Sequence, residues 1–175
     1  ADGRVLALSV HSHANLGAYT TPAGVVIQLL IGPWVSTSIY DIPTISLQLT
    51  AVMTNTTPTG AYRGAGRPEA IYVIERLMDA AAREMGIDGA ELRRRNMIRP
   101  AQMPYKNPMG QTYDVGLFEK ILDQGLQLAD WGGFEARRAQ SKARGKLRGR
   151  GIATFLEWTG GNALSEQVTV NVLPE

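Results

Sequence analysis

Residues 45–85 carry the pattern that most restricts how this chain folds: a two-residue alternation runs through a glycine-rich loop into a segment of helical period. From Ile45 to Met53 (ISLQLTAVM), Ile45, Leu47, Leu49, Ala51 and Met53 face one way and Ser46, Gln48 and Thr50 the other. That is the mark of a strand with one face on a core. From Pro68 to Met85, Ile71, Ile74, Leu77, Met78, Ala81, Ala82 and Met85 recur at helical spacing among Glu69, Glu75, Arg76, Asp79, Arg83 and Glu84, and Gly86 follows as a C-terminal cap. The connection, Thr54 to Gly66 (TNTTPTGAYRGAG), has 13 residues. It is longer than most connections in compact domains and is therefore a candidate functional segment.

The flanking sequence supplies further elements. Val5 to Ala14 reads as a strand with Leu6, Leu8 and Val10 on one face and Ser9, His11 and His13 on the other, followed by the loop Asn15–Tyr19 (NLGAY). Pro22 opens a short, buried, apolar helix expected to end before Gly32-Pro33. Asp88 caps a helix through Asn96, and Asp114 caps another from Val115 to Ala129 with a Leu117, Ile121, Leu122, Leu126 stripe. Between them, Met97 to Tyr113, with three prolines, is expected to be an irregular surface segment. Phe134 to Arg150 is basic and helical at first, breaking at Gly145 and Gly149. Ile152–Trp158 and Gln167–Leu173 read as two strands joined by a turn at Gly160-Gly161-Asn162. Strands and helices mix without regular alternation, so the expected fold class is α+β, within a single domain over residues 1–175.

Composition excludes several functions. The chain has no cysteine, which removes disulfides, thiolate metal sites and thiol nucleophiles. Its two histidines, His11 and His13, share a strand face but lack a third clustered ligand, so no all-protein metal site is expected. A net charge of +2 does not argue for nucleic acid. The longest apolar run, Ala23–Ile31, falls well short of the roughly 20 residues of a membrane helix. No signal peptide is visible, and the expected location is cytoplasmic.

The loop itself suggests anion binding. A strand enters it and a helix with Pro68 in its first turn leaves it, an arrangement in which backbone N–H groups and the helix dipole attract negative charge. Gly60, Gly64 and Gly66 permit positive φ and close approach, while Arg63 and Arg67 offer charge-assisted hydrogen bonds to phosphate. The spacing matches neither GxGxxG nor a P-loop, and a plain tight strand-to-helix turn is an equal reading of these residues alone.

The motifs together resemble a known family. Ala61–Arg67 (AYRGAGR) with Pro68-Glu69-Ala70, the NLGAY loop, Tyr40-Asp41-Ile42-Pro43, Glu91–Met97 (ELRRRNM) and Gly149–Ala153 (GRGIA) occur in order along nearly the whole chain. They resemble the large subunits of molybdenum hydroxylases: xanthine dehydrogenases, aldehyde oxidases and carbon monoxide dehydrogenase-like enzymes. The resemblance implies a fragment of the molybdopterin-binding subunit, with a cofactor-binding-domain-like fold. It places Arg63 beside molybdenum and Tyr62, Gly64, Ala65 and Gly66 against the pterin. It further implies molybdopterin, in some members a cytosine dinucleotide, together with iron–sulfur clusters and FAD on partner subunits or domains. The partners implied are those subunits, the remainder of the large subunit and a small-molecule substrate such as an aldehyde or heterocycle, oxidised with oxygen from water. No membrane or nucleic-acid partner is implied. The general-base glutamate of the family lies downstream, so this fragment holds no catalytic residue and is expected to be inactive alone.

Departures from the family narrow the expectation. Gly64 stands where copper-containing carbon monoxide dehydrogenases carry cysteine, which argues against a copper site. Ala65 replaces the phenylalanine of xanthine dehydrogenases, and Ile31–Ser36 contains no substrate-orienting arginine, which argues against purines. The motif is closest in form to the second type of carbon monoxide dehydrogenase-like subunit. The alternative is a non-catalytic module that uses the basic 137–150 segment (Arg137, Arg138, Lys142, Arg144, Lys146, Arg148, Arg150) for nucleic acid or an acidic partner, although the segment lacks interleaved aromatics and a solvated helix face is the better reading of it. Trp34, Trp131 and Trp158 read as core or interface anchors, and Glu157 as an acid with no tie to a site.

Overall fold

In the computed structural model, which describes residues 2–157 and 167–171, the two alternating segments lie side by side. β1 (Leu8–Gly17) and β2 (Ile45–Met53) pair in parallel, Leu8 against Ile45 and Ala14 against Ala51, with a register shift between Asn15 and Gly17. The pairing, not the alternation, sets the ends of β1: it starts at Leu8, whose N–H donates to the Thr44 carbonyl at 2.9 Å, and runs into the expected NLGAY loop.

Parallel neighbours need a crossover, and residues 18–44 supply it. Thr21 caps α1 (Pro22–Val26), its hydroxyl accepting the Gly24 N–H at 3.0 Å. The helix does not stop before Gly32-Pro33 as expected. It continues through a π-helical turn (Ile27–Ile31) into α2 (Gly32–Trp34), with Gly32 N–H donating to the Ile27 carbonyl. Pro33 has no N–H to give the preceding turn, and the wider π turn lets the chain carry it without breaking the helix.

α3 (Arg67–Met85) packs part of the face predicted for it: Ile74, Met78 and Ala82 join Leu8, Ile39, Tyr40, Ile42, Leu92, Met97 and Leu122 in the core, whereas Leu77 and Met85 are exposed. It ends where Gly86 turns left-handed (φ 64°) and Ile87 N–H returns to the Ala82 carbonyl at 2.9 Å. α4 (Gly89–Asn96) starts at Asp88, whose carboxylate accepts the N–H groups of Ala90 and Glu91 at 2.8 and 3.3 Å.

The arginine-rich α4 works inward. Arg93 is fully buried; its Nε donates to Glu75 Oε2 at 2.8 Å, and its Nη2 reaches Asp79 at 2.9 Å and the Ile152 carbonyl at 3.1 Å. Arg94 pairs with Glu119 and Asp123 of α5 (Phe118–Leu128), at 3.2 and 2.6 Å. Asn96 binds the N-terminal segment, donating to the Gly3 carbonyl and accepting from Val5 N–H, both at 2.8 Å.

Three expectations need correction. Met97–Tyr113 is neither irregular nor wholly on the surface: Met97, Ile98, Asn107 and Tyr113 are buried, and β3 (Tyr105–Lys106) pairs antiparallel with β4 (Thr112–Tyr113) around Asn107. That side chain accepts the N–H groups of Met109 and Gln111 at 3.0 and 2.8 Å, closing a turn that three prolines obscured. α5 begins at Phe118, not Val115, because the Asp114 carboxylate is spent on Val115 N–H at 2.8 Å, three residues short of the helix. No strand forms in residues 152–157 or 167–171: Ile152 carbonyl and Thr154 N–H are held by Arg93 and Glu75 side chains instead of a neighbouring strand. Trp158, residues 172–173 and the Gly160-Gly161-Asn162 turn lie outside the described residues.

The basic stretch starts as a helix, α6 (Phe134–Ala143), ending before Gly145. The architecture is α+β. Among the described residues, no helix is long and apolar enough to cross a membrane.

Candidate functional site

Both strands of a parallel pair deliver their loops to the same end, the end at which α/β sheets hold ligands. Here the two loops are laced together: Thr54 N–H donates to the Gly17 carbonyl at 3.0 Å, and Ala18 N–H to Thr56 at 2.9 Å. Asn15 adds side-chain hydrogen bonds to Thr54 and Thr56, at 2.7 and 3.1 Å. A Cβ on Gly17 (φ 82°) would lie 2.4 Å from the Pro58 Cα, so the loops approach as closely as backbone allows.

The loop then makes a left-handed turn into α3. Gly64, Ala65 and Gly66 have φ of 87°, 43° and 95°. Ala65 N–H donates to the Tyr62 carbonyl at 2.8 Å and Arg67 N–H to Gly64 at 3.1 Å. A non-glycine residue held at positive φ is sterically disfavoured and persists because its surroundings enforce it. The crossover helix presses on the next residue: a Cβ on Gly66 would sit 2.8 Å from the Ile27 carbonyl, at the π turn. The turn therefore nests on the helix segment whose irregularity Pro33 introduces.

The predicted site residues divide into a supporting and an outward group. Gly66 is buried, Gly64 and Ala65 are half-buried, and Tyr62 and Arg63 are exposed, Tyr62 at 78%. The Arg63 guanidinium lies 6.0 Å from the Tyr62 ring centre and makes no ion pair among the described residues. Nor does any of these residues accept the N–H of Gly64 or Gly66. Arg67, read from sequence as a second phosphate-binding cation, instead turns inward. Its Nη1 donates to the Gly64 carbonyl at 3.0 Å and its Nε pairs with Glu157 at 2.8 Å. Glu157 is thus tied to the loop, a relationship that no local pattern signals across 90 residues of sequence.

A cavity of about 120 Å³ lies beneath the turn, reached by Gln28, Ser36, Gly66 and Glu69. A larger cleft of about 600 Å³ lies between α5 and residues 151–157, lined by Phe118, Leu122 and Trp131, and includes none of residues 60–66. Its described lining is mostly apolar, with Thr154 and Glu157 as its polar side chains, so the exposed turn has the better chemistry. His11 and His13 are exposed on β1, and no metal-holding group of three acidic or histidine residues exists among the described residues.

Four of the seven basic residues in the 137–150 segment are engaged locally. Arg137 binds Asp130 and the carbonyls of Ala129 and Asp130; Arg138 pairs with Glu135 at 3.5 Å; Arg148 donates to Ser141 at 2.9 Å. Arg150 stacks 3.9 Å over Trp131 and donates to its carbonyl at 2.8 Å. These contacts fold Arg137, Arg138, Arg148 and Arg150 onto their neighbours, whereas Lys142, Arg144 and Lys146 are exposed.

Residues 1–97 match the family model of the molybdopterin cofactor-binding domain. The chain belongs to that family. As a molybdopterin cofactor-binding domain it is 33% identical over 165 residues to the nicotine 6-hydroxylase large subunit of Paenarthrobacter nicotinovorans, covering 91% of this chain and 20% of that protein. It is 34% identical over 171 residues to the carbon monoxide dehydrogenase large chain of Hydrogenophaga pseudoflava, again with 91% and 20% coverage. The crystal structure of quinoline 2-oxidoreductase from Pseudomonas putida 86 superimposes with a TM-score of 0.76 at 36% identity, over 82% of this chain and 18% of that one. The chain thus spans about a fifth of the length of these relatives.

Proposed function

We propose that this domain is part of the large subunit of a molybdenum hydroxylase, and that Tyr62, Arg63, Gly64, Ala65 and Gly66 meet its molybdopterin cofactor, with Arg63 beside the molybdenum. The observation that carries the reading is the turn itself: an exposed arginine without an ion pair among the described residues, next to two backbone N–H groups without acceptors there. Those donors fit an anionic, phosphate-bearing group.

When bound, the cofactor supplies the oxidation of a small molecule, such as an aldehyde or heterocycle, with oxygen derived from water. The protein's part is position and charge. Arg63 provides a cation with a planar fork of donors. The N–H groups of Gly64 and Gly66 add donors that no described residue accepts. Gly64 and Ala65, in place of cysteine and phenylalanine, favour a substrate other than carbon monoxide or a purine. The cofactor as a cytosine dinucleotide, iron–sulfur clusters and FAD on partner subunits, and a cytoplasmic location belong to the same proposal.

The test is elemental analysis of the full-length polypeptide purified with its neighbouring subunits from a cofactor-competent host, wild type beside Arg63→Ala. Near-stoichiometric molybdenum in wild type, with loss of metal or an altered metal spectrum in the variant, is expected. Well-folded wild type without molybdenum would return the domain to the binding-module reading.

A further inference from the structure

We propose that Arg67 is a positioning residue: clamped by Glu157, it holds the Gly64–Ala65 peptide in the orientation that presents Arg63 and the Gly64 and Gly66 N–H groups to a ligand. The proposal rests on the function proposed above.

Ala65 and Gly66 are the central residues of the turn Gly64–Arg67, and both have positive φ. That is the pattern of a type I′ turn, which alanine enters at a steric cost of roughly 1–2 kcal/mol. Left to itself, such a turn relaxes by rotating its peptides. Here the Gly64–Ala65 peptide is fastened at both ends. Its carbonyl accepts two hydrogen bonds from one residue, Arg67 N–H at 3.1 Å and Arg67 Nη1 at 3.0 Å. Its N–H donates to the Tyr62 carbonyl at 2.8 Å. Rotating the peptide breaks all three.

The Arg67 side chain is itself fixed. Only 14% of it is exposed, and its Nε meets Glu157 Oε1 at 2.8 Å. The guanidinium spans two partners on different segments at once, Nη1 donating to the Gly64 carbonyl and Nε lying in an ion pair with Glu157; a lysine ammonium, a single point charge, cannot reproduce that geometry. Glu157 is in turn anchored through its own segment, where Thr154 N–H and hydroxyl both donate to the buried Glu75 carboxylate at 3.0 Å. The turn is thereby connected to α3 twice, once by sequence and once through residues 154–157. This assignment explains why Arg67 does not face the ligand: it acts on the turn and leaves ligand contact to Arg63.

The experiment uses the full-length enzyme in complex with its partner subunits, comparing wild type, Arg67→Lys and Glu157→Gln. Molybdenum content, the electron paramagnetic resonance spectrum of the metal, kcat and KM are read alongside thermal melting. Glu157 is nearly half exposed, so Glu157→Gln leaves folding intact even where an Arg67 variant does not. We expect Arg67→Lys to lower kcat about 10–100-fold and to change the spectrum, the scale of loss that a misplaced site produces, with Glu157→Gln changing both in the same direction by less. A wild-type spectrum and wild-type kcat in Glu157→Gln would overturn the clamp while leaving the proposed function standing. Absence of molybdenum from wild type would overturn the function itself, and the clamp with it.

Discussion

Tyr40 and Arg93 hold opposite oxygens of one carboxylate: the Tyr40 hydroxyl donates to Glu75 Oε1, and Arg93 Nε donates to Oε2 at 2.8 Å. Three sequence segments that look independent, around Tyr40, around Arg93 and around Thr154, converge on Glu75 in the middle of α3. Burial, and then the Glu75 charge, raise the Tyr40 hydroxyl far above the ordinary phenol range, so it stays a donor at every working pH.

That arrangement predicts an asymmetric response to substitution. Arg93→Met removes the cation from a buried carboxylate and should destabilise the α3–α4 region by about 3–5 kcal/mol. Arg93→Met combined with Glu75→Leu should recover part of that loss, since no charge is then left buried. Hydrogen exchange of α3 and α4 amides in the full-length protein measures both; equal protection in Arg93→Met and wild type would contradict the account.

Gly66→Ala places a methyl 2.8 Å from the Ile27 carbonyl on a backbone with φ of 95°. Strain and clash together should cost more than about 1 kcal/mol. The loss should appear as faster exchange in both the turn and residues 27–32. Exchange changed in the turn alone would show that the π turn does not support it.

Tyr105 gives a pH-dependent test. Burial, with the neighbouring Asp41 carboxylate, pushes its phenol up to about 12. A folded value above the unfolded one means stability that is complete below roughly pH 10 and is lost as pH rises toward 12. Tyrosinate absorbance of wild type minus that of Tyr105→Phe should therefore develop only near the top of this range. A difference spectrum that develops at the ordinary phenol pH would refute it.

Asp88 carries the opposite sign. Burial alone would raise its carboxyl, but hydrogen bonds from Trp131, Ala90 and Glu91 and the Arg150 charge hold it below the ordinary range. Its contribution is present above the unfolded value and fades as pH falls through the folded one. Asp88→Ala should destabilise α4 by about 1 kcal/mol through the lost cap, whereas Asp88→Asn keeps the cap and removes the acid dependence. Acid melting curves of the three proteins separate these effects.

How far the sequence foretells this structure depends on the range of the interaction. β2, α3 and the Gly86 and Asp88 caps were legible because alternation, a 3.6-residue stripe and a terminal glycine or aspartate act within a few residues. The helix through Pro33 was not, since a π turn depends on what packs against it, here Gly66. Residues 152–157 have strand-like composition but bond to side chains of α3 and α4, and composition does not reveal which partner a backbone finds. The ELRRRNM arginines look solvent-facing until Glu75 and Asp79 are brought beside Arg93. Within the site, motif spacing identified the turn, while the inward rotation of Arg67 followed only from the position of the Gly64 carbonyl and Glu157.

The backbone contacts at Gly17 and Gly66 also bear on how such a loop can diversify. Pro58 is pressed against Gly17 on one side, and Gly66 against Ile27 on the other, whereas a Cβ at Gly60 would meet nothing within 4 Å. Insertions or bulky replacements near either contact must dislodge a strand end or a helix. Gly60 and Ala61 lie in a window between two fixed posts, where a side chain can be added or enlarged without rebuilding what holds the ligand-facing Tyr62 and Arg63.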